Sequence, residues 1–242
     1  MHKKVSILLV VLMMACGAVC AQGRGMFNNQ AVYAEKGTKS VGLSFGYDRW
    51  DASGDDGVEL LSLLTGLKGN VTIADFSASG SWFVKDNMAV GFRLGYDEVR
   101  MHVDSLDFAS VEMSDRHFLR QAFNGAAICR RYLPLFDGHI LAMFVEGRLA
   151  GKIGYVKGYE NTGNGKEGSY GDLYEISAGC YPGISVFVTD SFSFEMMIPL
   201  LEGGYNWQKQ NGSEVTDGTL SHTFFNFKPD LIGLRMGLLY CF

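Results

Sequence analysis

The chain has 242 residues, with 31 Gly, 4 Pro, 5 Cys, 13% aromatic and 19% charged residues, and a formal net charge of −5. It is too apolar to be disordered, too poor in cysteine for a disulfide scaffold, and too acidic for a nucleic-acid binder, which shows a basic patch. Glycine at about 13%, against an average of about 7%, leaves a single domain of unusual composition.

His2, Lys3 and Lys4 precede an apolar run at 5–15 and the small residues Gly17, Ala18 and Ala21. This order predicts a secretory signal peptide over 1–21, cut before Gln22. The run is short of the ~20 residues that a spanning helix needs. A lipoprotein signal with Cys16 as the lipidated residue is the other reading, weakened by Met13 where Leu is usual. Cleavage removes Lys3 and Lys4 and takes the charge to −7. It also leaves Cys129, Cys180 and Cys241, an odd number that excludes a full disulfide framework. Residues 22–36 read as a short periplasmic N-terminal arm and 37–242 as one domain.

From there the chain alternates with period two, the signature of strands with two different faces. Val41, Leu43, Phe45 and Tyr47 alternate with Gly, Ser and Asp. Phe76 to Trp82 and Met88 to Tyr96 repeat the pattern. The segment at 117–133 is the least regular, with Leu119, Phe123, Ala127 and Cys129 on its apolar face. Strands follow over 141–155, 176–188, 192–200 and 232–242. Short turns are expected at 85–87, 136–138 and 189–191, and long polar loops near 49–70, 102–116, 158–171 and 208–222. Eight strands with short and long connections in strict alternation make an up-and-down antiparallel meander.

Alternation alone does not say which face points inward. A soluble barrel turns its apolar face in; a membrane barrel turns it out. An eight-stranded barrel is only just wide enough for side chains, and small residues fit that space better than Phe, Tyr and Leu. A glycine and serine face is also a poor surface for water. The terminal dyad of eleven residues, 232–242, matches the ~9–11 residues that cross the hydrocarbon layer. Two aromatic girdles are expected: Trp82, Tyr132, Phe136, Tyr240 and Phe242 at the short-turn rim, and Trp50, Tyr96, Tyr155, Tyr159, Tyr205 and Trp207 at the long-loop rim. The expected fold is all-β, an eight-stranded antiparallel up-and-down transmembrane β-barrel.

Over 37–242 the sequence resembles the small eight-stranded outer-membrane barrels of Gram-negative bacteria, and most closely those of Bacteroidota. The sharpest element is the last strand, where Leu234, Met236, Leu238, Tyr240 and Phe242 look like the C-terminal assembly signal of that class. The resemblance implies residence in the bacterial outer membrane, insertion by the barrel assembly machinery, contact with outer-membrane lipid and lipopolysaccharide, and a monomer. No cofactor is expected, nor a C-terminal peptidoglycan-binding domain of the kind some relatives carry.

Charge at mid-membrane on the lipid face costs about 2–4 kcal/mol, so strand charges must face inward. Asp75, Arg93, Glu146, Arg148, Lys152, Glu175, Glu195 and Arg235 all fall on the small-residue face. Crude heights pair Asp75 with Arg93, Lys152 with Glu175, and Glu195 with Arg235, with Glu146 and Arg148 joining the network.

Catalytic, metal and nucleotide signals are weak. No histidine among His102, His117, His139 and His222 begins a His-x-Ser. His117 and His222 lie near the outer rim with Ser114, Asp115 and Ser221, on strands expected to be far apart. The acidic run at 51–57 lacks the spacing of a calcium loop, and Gly163, Gly165 and Gly168 have no strand–helix context for phosphate. An apolar stretch at 58–67 interrupts the first long loop as a candidate partner ridge. Asp104, Ser105 and Leu106 resemble an O-glycosylation triplet of Bacteroidota. The expected role is structural or surface-interactive, with a lumen plugged by ions and an unknown surface or periplasmic partner. A narrow solute channel and a lipid-modifying enzyme are the alternatives.

Overall fold

The computed structural model describes residues 32–52, 68–108, 111–135, 140–162, 165–189, 191–211, 218–227 and 234–242. The signal-peptide, apolar-stretch and Phe136 readings lie outside these residues, as does the side chain of Trp50. Ten strands form one antiparallel sheet: β1 (Lys39–Ala52), β2 (Lys68–Lys85), β3 (Met88–Phe108), β4 (Val111–Pro134), β5 (Leu141–Thr162), β6 (Gly165–Thr189), β7 (Phe192–Met197), β8 (Leu201–Asn211), β9 (Gly218–Phe227) and β10 (Arg235–Cys241).

The ten make eight in the ring: β7 and β8 are one wall strand broken at 198–200, and β9 and β10 flank 228–233, which lie outside the described residues. β7 and β8 both pair with β6 and are separated by Ile198, Pro199 and Leu200. Pro199 has no N–H for a ladder. Ile198 and Leu200 still donate to the carbonyls of Pro182 and Cys180 at 3.1 Å, which keeps the break on the wall. β9 pairs with β8, and β10 pairs with β7 and β1. The ladder from β1 through β6 to β7 and β10 returns to β1 and closes the lower ring. Higher up, among the described residues, β9 pairs only with β8 and the outer part of β1 only with β2.

Period two decides the faces. Phe92, Phe123 and Ile153 are 60–68% exposed on the outside, while Arg93, Glu146 and Glu175 point inward and are at most 5% exposed. Leu234, Met236, Leu238, Tyr240 and Phe242 share the outer face at the end of the chain. The register aligns outward rows around the wall. Tyr96, Phe123, Ile153 and Tyr174 lie side by side. The row above holds Glu98, Gln121, Tyr155 and Asp172, so the apolar belt ends between them. Eight residues from Met88 to Tyr96 rise about 26 Å along the strand, or about 20 Å along the axis at the usual tilt. With side chains added, that fits the outer-membrane hydrocarbon band of about 25 Å.

Two expected loops are walls instead. β3 and β4 stay paired up to Phe108 and Val111, and β5 and β6 up to Thr162 and Gly165. The polar residues at 102–116 and 158–171 are polar because the strands have left the membrane, not because they have stopped. Sequence polarity reports the solvent, whereas the ladder continues for as long as backbone groups can pair.

Tyr132 is a correction to the expected lower girdle. It points inward and is 1% exposed. It shares parity with Ala126 and Ala122 on β4, not with Cys129 and Ala127. Trp82, Tyr240 and Phe242 do face outward at that rim, with the last two rings 5.9 Å apart. At the other rim Tyr174, Trp207 and Tyr205 stack in succession, with Tyr174 5.6 Å and Tyr205 5.8 Å from Trp207.

Candidate functional site: a two-tiered lumen

The lower end of the lumen is an apolar core of Phe83, Ala89, Tyr132, Ala142, Phe144, Met197, Leu239 and Cys241, into which Tyr33 and Ala34 of the N-terminal arm are packed. The arm is held by the β2–β3 turn. Asn87 takes φ 61° there, a left-handed conformation that Asn tolerates better than most residues. Its side-chain oxygen accepts from the backbone N–H groups of Tyr33 and Ala34 at 2.6 and 3.2 Å. Its own N–H donates to Ala34 O at 2.9 Å. The Tyr33 ring lies 4.8 Å from Tyr132 and 4.3 Å from Phe187. Its hydroxyl shares a 2.6 Å hydrogen bond with Ser185. Burial pushes that hydroxyl up to about 12, so it is neutral at any physiological pH.

Directly above lies the first tier of charge. Arg130 donates Nε to Glu146 at 2.8 Å and Nη1 to both oxygens of Glu195 at 2.8 Å, and it stacks 4.5 Å from the Phe144 ring centroid. Tyr132 donates its hydroxyl to Glu195 at 2.9 Å. Glu146 also receives Arg93 at 3.4 Å and Arg148 Nε. Arg93 donates on to Ser44 and Ser77 at 2.8 and 2.9 Å. Three guanidinium groups thus share two carboxylates. An unpaired charge here would be prohibitive; the two serine oxygens accept from Arg93 Nη1, while its buried Nε has no hydrogen-bond partner.

The second tier is looser. Arg235 Nε donates to Asp75 at 2.9 Å. Lys152 lies 3.4 Å from Glu175 and 4.0 Å from Asp97, and Arg120 lies 3.2 Å from Glu175. Asn124 donates to Asp97 at 3.1 Å. Arg148 covers the Tyr181 ring at 3.8 Å. All of these groups but Glu175, together with Glu202, line a cavity of 200 Å³. Across both tiers Arg93, Arg120, Arg130, Arg148, Lys152 and Arg235 face Asp75, Asp97, Glu146, Glu175, Glu195 and Glu202. The positive and negative charges balance.

Two of the three expected pairs have other partners. Asp75 meets Arg235 rather than Arg93, and Glu195 meets Arg130 rather than Arg235. Barrel stagger is the reason: Arg235 registers with Gly46 on β1, and Gly46 with Asp75 on β2, so the side chains meet across the intervening glycine. A Cβ on Gly46 would stand 2.2 Å from the Asp75 carboxylate. Lys152 and Glu175 register directly opposite each other. Arg130, Arg120, Asp97, Glu202 and Tyr33 are lumen residues outside the network expected from the sequence. Strict period two counted back from Phe123 on β4 places Arg120 and Arg130 inward. Nothing local signals Tyr33.

The histidines do not assemble into a reactive group. His102 and His117 stack at 3.9 Å on the outer wall, and His222 sits on β9, a strand that does not pair with theirs. Among the described residues no group of three or more His, Cys, Asp or Glu is placed to hold a metal ion.

An apolar outer belt, a ring closed by hydrogen bonds and a charged lumen together define a transmembrane β-barrel of the outer-membrane type. No protein-family model and no curated protein matches the chain. Solved structures resemble it in outline. The outer membrane protein OprG from Pseudomonas aeruginosa has a TM-score of 0.44 and 12% identity, over 88% of this chain and 99% of that one. Neisserial surface protein A has a TM-score of 0.32 and 14% identity, over 86% and 98%. The translocator domain of the autotransporter NalP from Neisseria meningitidis has a TM-score of 0.33 and 10% identity, over 99% and 98%.

Proposed function

We propose that the protein is a plugged outer-membrane barrel with a structural or surface-interaction role, carried out by the wall and hairpins that rise beyond the lipid. One observation carries this reading. The narrow end of the lumen is filled twice over, by the Tyr33 arm packed on Tyr132 and Phe187 and by the Arg130 cluster above it, in which Glu146 has no solvent exposure. A through passage requires both layers to leave. That means stripping Glu146 of its guanidinium partners in a low-dielectric interior. The partner is a molecule met at the cell surface or in the periplasm. Insertion by the barrel assembly machinery through the outward row Leu234, Met236, Leu238, Tyr240 and Phe242 belongs to the same proposal, as do a Bacteroidota-type source and a monomeric state.

Planar-bilayer recording tests the plug. The expected result is no steady conductance from the wild-type barrel, and a reproducible wild-type pore overturns the reading in favour of a narrow solute channel. A lipid-modifying activity has less support, because His117 and His222 sit on strands that do not pair.

A further inference from the structure

On the outer wall, immediately above the apolar belt, the register assembles a basic groove that the plugged lumen does not use. Arg100, Leu119 and Lys157 lie in one row on β3, β4 and β5. The next row up holds Asn70, His102, His117 and Tyr159. His117 stacks between its neighbours, 3.9 Å from His102 and 4.4 Å from Tyr159, which makes a flat upper rim. Leu119 is the floor and the two cations are the flanks of a groove of 420 Å³. Across one intervening strand the flanks stand about 10 Å apart at their backbones.

Both cations are available. Arg100 spends its Nε on Glu98, and its terminal nitrogens hold no hydrogen bond among the described residues. Glu98 is itself committed, because its carboxylate accepts hydrogen bonds from Gln121, Tyr96 and Arg100. Lys157 lies 4.9 Å from the Tyr155 ring centroid and forms no ion pair among the described residues. No residue lining the groove carries a carboxylate, although the chain as a whole is acidic.

Height selects the ligand. The apolar belt ends between the rows of Tyr96 and Glu98, and Arg100 lies about three residues beyond that edge, or about 7–8 Å along the barrel axis. That is the depth of the polar headgroup layer, which adds roughly 5–8 Å to each side of the hydrocarbon core. A patch facing water at large would need no such depth. A patch that faces sideways at this level meets the headgroups of the lipids packed against the wall. A guanidinium with free donors and a separate ammonium match a phosphate. The stacked rings cover one another's faces and present edges beside the Leu119 floor, and such polar ring edges suit the hydroxyls of a sugar.

We infer that the Arg100–Lys157 groove binds the phosphorylated headgroup of an outer-leaflet glycolipid, with its acyl chains lying along the apolar rows below. The bound lipid would become a fixed part of the barrel's annulus on the β3–β5 side.

The test uses the full mature chain folded in detergent and exchanged into phosphatidylethanolamine vesicles containing bisphosphorylated lipid A or the same lipid with both phosphates removed. Native mass spectrometry then counts the retained lipid. One bisphosphorylated lipid A should be retained per barrel, and the dephosphorylated form should be held at least about ten-fold more weakly. Arg100→Ser with Lys157→Ser should weaken retention by about ten-fold or more, Lys157→Ser alone should do so in part, and Lys85→Ser at the opposite rim should change nothing. Inorganic phosphate at millimolar concentration should not displace the lipid. Equal retention of both lipid forms overturns the inference, as does full retention by the double variant. Displacement by inorganic phosphate overturns the lipid as the source of the anion. The substituted side chains are on the exposed surface, and heat-modifiable gel mobility verifies folding of each variant. None of these outcomes bears on conductance, so this inference and the plug fail separately.

Discussion

The two ends of the barrel solve the same problem differently. The lower end is narrow and full: aromatic rings, an inserted arm and guanidinium–carboxylate bonds leave Tyr132, Phe144 and Glu146 at most 1% exposed. The upper end keeps its wall but not its filling. Its charges pair at longer range around a 200 Å³ cavity, and Arg235 and Arg120 keep about a quarter of their side-chain surface. The difference teaches that a barrel lumen is not one environment. In the lower tier the charges are held by shared carboxylates and serine oxygens because water is excluded. In the upper tier water can serve.

That contrast orders the expected effects of substitution. The largest should come from Glu146→Gln, which leaves Arg130 with Glu195 and takes from Arg93 and Arg148 the carboxylate that pairs with them. Loss of a buried partner of this kind costs about 3–5 kcal/mol, visible as a lower urea midpoint in the shift between folded and unfolded gel bands. A midpoint within error of wild type would break the distinction between the tiers.

Gly91→Val should follow. A Cβ there would stand 2.1 Å from the carbonyl oxygen of Gly80 and 2.6 Å from the Ser81 Cα. The β2–β3 wall curves so tightly that backbone occupies the space of a side chain, and forcing one in costs about 1–3 kcal/mol. The same measurement reads it.

Tyr33→Ala should cost about 2 kcal/mol, from two ring contacts and one hydrogen bond, and its effect should be local. The arm would leave the mouth and uncover Cys241, which is buried in the same core. Maleimide labelling of Cys241 in the folded barrel should therefore accelerate while the gel shift persists. Unchanged labelling would show that the arm does not close the mouth.

Asp75→Asn should be the mildest, at or below about 1 kcal/mol, because its partner is partly solvated. If it matched Glu146→Gln, the upper tier would be as dry as the lower.

Much of this was readable in the chain. The parity of Phe76, Phe92 and Ile153 against Asp75, Arg93 and Lys152 fixes which residues face in, since adjacent residues on a strand must point to opposite sides. Lipid forbids the charged face from pointing out. What failed was the vertical arrangement. Counting from the turns put Asp75 level with Arg93, whereas stagger between strands brings Asp75 to Arg235 and frees Arg93 for Glu146. Arg120 and Arg130 were missed where the alternation on β4 is blurred by Gly125, Ala126 and Ala127, small residues that fit either face. The polar segments at 102–116 and 158–171 read as loops because hydropathy reports the surroundings of a strand and not its hydrogen bonds.

The sequence by itself determined the barrel, most of the inward charges and the membrane-facing belt, because each follows from a period-two pattern and the cost of exposing charge to lipid. Only the tertiary structure decided the partners inside the lumen, the seat of Tyr33 and the rows that bring Arg100 beside Lys157. Those depend on the register between strands, which is set by the closure of the whole ring and is written in no single segment.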